Sequence, residues 1–122
     1  MKIKIKLLNK ARLEVVKVFF IQAINFNIES INYIDYYNAL QICKKFSDVI
    51  FKRTIAPSPG VVKFSIDINE FYTFTKICTM FADDCDQYAA ILMQDIINEG
   101  NKQTAQIEHQ HTIQRLKKNE IL

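Results

Sequence analysis

A helix-dominated α+β fold, with two short paired strands and about five helices, is what the sequence predicts, and three observations predict it. Residues 2–8 and 62–68 alternate polar and apolar side chains with the period of two that a half-buried strand shows. Four longer segments repeat apolar residues at helical spacing. A single turn-rich stretch, Ala-Pro-Ser-Pro-Gly at 56–60, divides the chain into halves that each read strand, helix, helix.

Taken in order, Lys2 to Leu8 reads Lys-Ile-Lys-Ile-Lys-Leu-Leu, with Ile3, Ile5 and Leu7 on one face and Lys2, Lys4 and Lys6 on the other. Asn9 follows as an Asx residue able to cap a helix. From Ala11 to Phe26 the apolar positions 13, 16, 20 and 23/24 form a helical stripe, opposed by Lys10, Glu14, Lys17 and Asn25, although the many β-branched residues leave a strand reading open. After Asp35 a second stripe is predicted over Tyr36, Ala39/Leu40, Cys43, Phe46 and Ile50, with Asn38, Gln41, Lys45, Asp48 and Lys52 opposite. Past the turn, Val62, Phe64 and Ile66 alternate with Lys63, Ser65 and Asp67, and Asp67 or Asn69 is placed to cap a helix striped by Phe71, Phe74, Cys78 and Phe81. Asp84 or Asp86 then caps a segment whose Tyr88/Ala89, Leu92/Met93 and Ile96 form a buried face ahead of Gly100.

Superposing the halves with an offset of 59 places Ile3 on Val62, Lys4 on Lys63, Ile5 on Phe64 and Leu7 on Ile66. A β-α-α duplication is the economical account, with repeats over 1–55 and 61–100 packed into one globular domain of residues 1–100. Two units are too few for a solenoid, so the strands should pair and the helices share a core. Residues 101–122 are dominated by Gln, Lys, His and Asn, with Ala105, Ile107, Ile113, Leu116, Ile121 and Leu122 apolar, and read as a polar C-terminal helix or tail.

Composition sets the class. With 122 residues, 49% hydrophobic and 24% charged, only two Gly and two Pro, the chain can bury a core and lacks the bias of disordered sequences. Three cysteines, Cys43, Cys78 and Cys85, form an odd count without C-x-x-C spacing, which speaks against a disulfide scaffold. The alternating start lacks the apolar run of a secretory signal, and Leu13–Phe26 is interrupted by Glu14, Lys17 and Gln22, so no membrane span is expected. A cytoplasmic or intracellular protein is the expectation.

No residue group carries a specific catalytic signature. The phosphate-loop, dinucleotide, H-E-x-x-H and G-x-S-x-G patterns are absent. Glu108, His109 and His111 have metal-like chemistry, but residues two apart diverge by about 200° on a helix, so a solvated polar face is the better reading. Cys85 sits among Asp83, Asp84 and Asp86, whose charges disfavour a thiolate, and these carboxylates are explained by helix capping. Catalytic, cofactor and metal residues are therefore expected to be none.

The net charge of +3 divides unevenly, with ten Lys/Arg against four Asp/Glu in residues 1–60 and six against nine in residues 61–122. That asymmetry favours docking between copies or with a charged partner. The expectation is a non-enzymatic protein-binding or assembly protein, an adaptor, inhibitor or structural subunit of the kind phages and mobile elements carry. Its protein partner or second copy would dock through the first strand and helix, with Ile3, Ile5, Val15, Val18, Phe19, Tyr33 and Tyr37 as candidate interface residues. The alternative is a nucleic-acid-associated factor using Lys2, Lys4, Lys6 and Lys63 as anion contacts, against the ordinary use of strand lysines to block edge pairing. A third reading is an enzyme whose site only the fold assembles.

Overall fold

A computed structural model describes the backbone of residues 1–121 and the side chains of residues 1–118. Strand β1 (Lys2–Leu7) leads to α1 (Lys10–Phe26) and α2 (Tyr33–Ile55), then β2 (Val62–Asp67), α3 (Ile68–Phe81), a 3-10 turn (Ala82–Asp84) and α4 (Gln87–Ile121). The fold is thus helix-dominated α+β, with β1 and β2 in one antiparallel sheet. Among the described residues there are four α-helices rather than about five, because the polar tail is not a separate element. Helix α4 runs unbroken for 35 residues through Gly100 and into it. Leu122 and the side chain of Ile121, two of the tail's apolar positions, lie outside the described residues.

The helix starts follow the local chemistry. Asn9 accepts a hydrogen bond from the Arg12 amide and opens α1. Asn32 caps α2, its side chain accepting from the Asp35 amide. At α3, Asp67 and Glu70 form a reciprocal capping box. Asp86 accepts from the Ala89 amide at the start of α4. In the connecting loop Gly60 takes φ 97°, a backbone state that side chains disfavour, and the Arg53 guanidinium donates to the Ser58 and Val61 carbonyls to hold the loop against α2.

In the ladder Ile3 faces Ile66, Ile5 faces Phe64 and Leu7 faces Val62. Ile5 and Phe64 are also counterparts under the 59-residue offset. Around the sheet α1 packs on α2 and α4, α3 packs on α4 and α2, and α1 meets α3. Phe20, Phe46 and Phe74 form the aromatic centre where α1, α2 and α3 meet, with ring centroids 5.0 to 6.3 Å apart.

Two helix faces differ from expectation. The fully buried line of α2 is Ala39, Ile42 and Phe46, while Tyr36 and Leu40, placed in the core by the sequence pattern, are exposed. On α4 Tyr88 is exposed, and Ile97 joins Ala89, Leu92, Met93 and Ile96 in the core. Gly100 does not stop α4. It is buried at the crossing with α3, where a β-carbon would overlap the Phe71 ring.

Candidate interaction sites

The sheet has one core face and one wet face. Ile3, Ile5, Leu7, Val62 and Ile66 are buried beneath it, whereas Lys2, Lys4, Lys6, Lys63, Ser65 and Asp67 are exposed above. Ile3 and Ile5 therefore cannot serve as interface residues: they are consumed by the core, which is what the alternation of a half-buried strand dictates. The outer edge of β1 is covered at its centre: Gln103 of α4 accepts from the Lys4 amide at 2.7 Å and donates to the Lys4 carbonyl at 2.8 Å, occupying two of the backbone groups that a docking strand would use. Docking through Ile3 and Ile5 is corrected accordingly.

The other candidate interface residues are scattered. Val15 and Phe19 are half-buried and pack against the core, and Val18 is exposed on α1. Tyr33 and Tyr37 are exposed on the first two turns of α2. They begin a longer feature that the sequence pattern hid by assigning Leu40 to the core. Tyr33, Tyr37, Leu40, Lys44, Asp48, Phe51 and Ile55 are all exposed, and at 3.6 residues per turn they fall within a strip about 80° wide along the solvent side of α2. The spacing of four and three residues was the available signal. Phe51 and Ile55 are 62% and 65% exposed, which is high for such side chains.

All four candidate anion contacts are brought together. Lys2, Lys4, Lys6 and Lys63 line one groove of about 1040 Å³ between the wet face of the sheet and α4, which contributes Glu99, Gln103, Gln106, Ile107 and Gln110. Lys2 is engaged with Asp67 at 2.8 Å, and that contact raises the lysine's pKa and lowers the carboxyl's. Among the described residues Lys4, Lys6 and Lys63 make no ion pair. In the ladder Lys6 stands directly opposite Lys63. The glutamines of α4 were missed because the tail was read as solvated; their spacing of three and four residues places them on one face.

Nucleophilic chemistry finds little support in the thiols. Burial pushes the Cys78 thiol far up, and burial also raises Cys43, against the opposing pull of Lys17. Cys85 is raised by burial and by the charge of Asp86. His109 and His111 are exposed on α4, and among the described residues no three His, Cys, Asp or Glu side chains gather as a metal site. No helix among them is long and apolar enough to cross a membrane. No family model, curated protein or solved structure matches the chain.

Proposed function

We propose that the chain is a non-enzymatic binding and assembly protein that self-associates through the solvent face of α2. The observation that carries this reading is the pair Lys44 and Asp48 in the middle of the apolar strip. Both are exposed, and neither has an ion-pair partner among the described residues. When two copies of α2 pack antiparallel about a two-fold axis at the level of Phe46, Lys44 of each copy meets Asp48 of the other. In the same register Tyr37 meets Ile55, and Leu40 with Gln41 meets Phe51 with Lys52. The strip is self-complementary in charge and in apolar surface, which is the requirement of an isologous interface. Tyrosine and phenylalanine at its two ends have the character of interface anchors.

Sedimentation velocity at micromolar concentration tests the proposal. A dimer is expected, and Phe51→Glu should render it monomeric without unfolding the domain, since Phe51 is solvent-exposed. Lys44→Asp should also weaken the dimer by setting like charges across the axis, and adding Asp48→Lys to the same chain should restore it. A wild-type protein that stays monomeric, or a charge-swapped double variant that does not recover, would overturn the assignment.

A further inference from the structure

We infer that the groove between the wet face of the sheet and α4 is a binding site for single-stranded nucleic acid, held by its phosphates. Like charges placed directly opposite one another across a ladder destabilise the sheet, yet Lys6 and Lys63 stand in that relation with no carboxylate bound to either among the described residues. An anion lying between them removes the repulsion. Edge protection, the ordinary use of strand lysines, is already supplied at Lys4 by the Gln103 side chain. Alternate residues of a strand are about 6.6 Å apart, so Lys4 and Lys6 make a row of point charges suited to successive phosphates.

The walls of the groove favour a single strand over a duplex or an acidic peptide. A single strand brings unstacked bases as well as phosphates to the open groove. Gln106 and Gln110 offer amides that both donate and accept, and Phe64 and Ile107 offer apolar surface on the same lining. Glu99 is the lone carboxylate of that lining, and beyond Gln110 the exposed Lys117 continues the same face of α4.

Fluorescence anisotropy with a labelled mixed-sequence single-stranded oligonucleotide, its duplex, and polyglutamate tests the site. The single strand should bind best at low salt, and two neutralised phosphates, one at Lys4 and one between Lys6 and Lys63, predict a log–log salt slope of about −1.4. Lys6→Gln/Lys63→Gln should lower affinity at least about tenfold and flatten the slope by about 0.7, while the unfolding midpoint stays level or rises as the repulsion is lost. The charge-matched variant Lys10→Gln/Lys17→Gln, on α1 and away from the groove, should bind like wild type. Absence of single-strand binding, equal or tighter binding of duplex or polyglutamate, or wild-type affinity in the Lys6/Lys63 variant would each overturn the assignment. None of these readouts depends on whether α2 dimerises.

Discussion

The side-chain amide of Gln103 pairs with both backbone groups of Lys4, 2.7 Å to its N–H and 2.8 Å to its C=O, so that a residue of α4 takes the place of a third strand beside β1. A two-stranded ribbon is marginal by itself, and this contact ties its open edge to the helix layer. Gln103→Ala should cost about 1–2 kcal/mol, the ordinary worth of two hydrogen bonds, read from denaturant unfolding. The freed edge should also raise aggregation on mild heating. Gln103→Glu, which keeps the acceptor and loses the donor, should fall between the two. An unchanged midpoint in Gln103→Ala would show that the edge needs no cover.

The elements whose signal was local were legible in the sequence. Both strands announce themselves by a strict period of two, and Asn9, Asp67 and Asp86 cap the helices they precede. Helix α1 also buries the positions its spacing marks, Leu13, Val16, Phe20, Ala23 and Ile24. What could not be read is what depends on a distant partner. The α2 sequence offers two apolar lines, Ala39–Ile42–Phe46 and Tyr37–Leu40–Phe51–Ile55, and only the positions of α1 and α3 decide which one is covered. Gly100 looked like a helix stop because glycine is a poor helix former, and only the Phe71 ring packed on it reveals why it sits in mid-helix. The lysine row was visible, but the Lys6–Lys63 opposition requires the ladder register, and the groove wall requires α4 to lie against β1.

Gly100 sets the closest approach of α4 to α3. Gly100→Ala should gain about 1 kcal/mol in helix propensity. The added methyl group, however, enters the volume of the fully buried Phe71 ring, and forcing such a ring to move costs about 1–3 kcal/mol or more. The expected outcome is a net loss of stability by thermal or denaturant unfolding. Combining Gly100→Ala with Phe71→Leu should recover part of it, because the smaller side chain vacates the space that the methyl group needs. A single variant more stable than wild type would show that the two helices can separate at no cost.

Asp35 joins the start of α2 to α3 and makes the domain sensitive to acid. The Lys76 ammonium, bonded to it at 2.7 Å, holds its carboxyl below the usual carboxylate range. Burial works in the opposite direction, and the bond from the Thr73 hydroxyl adds to the lowering. A carboxyl whose folded pKa is depressed contributes stability that is fully present above its unfolded pKa of about 3.9 and is lost as the pH falls through the lower folded value. Unfolding free energy should therefore drop on acidification below about pH 4. Asp35→Asn should be less stable than wild type at neutral pH and should show a shallower acid limb, with the two curves converging at the lowest pH. Lys76→Met should likewise be less stable at neutral pH and show a shallower acid limb, because the carboxyl then keeps its burial penalty without the cation that depresses its pKa. Parallel acid limbs in wild type and Asp35→Asn would assign the acid sensitivity to other carboxylates, such as exposed Asp67 beside Lys2.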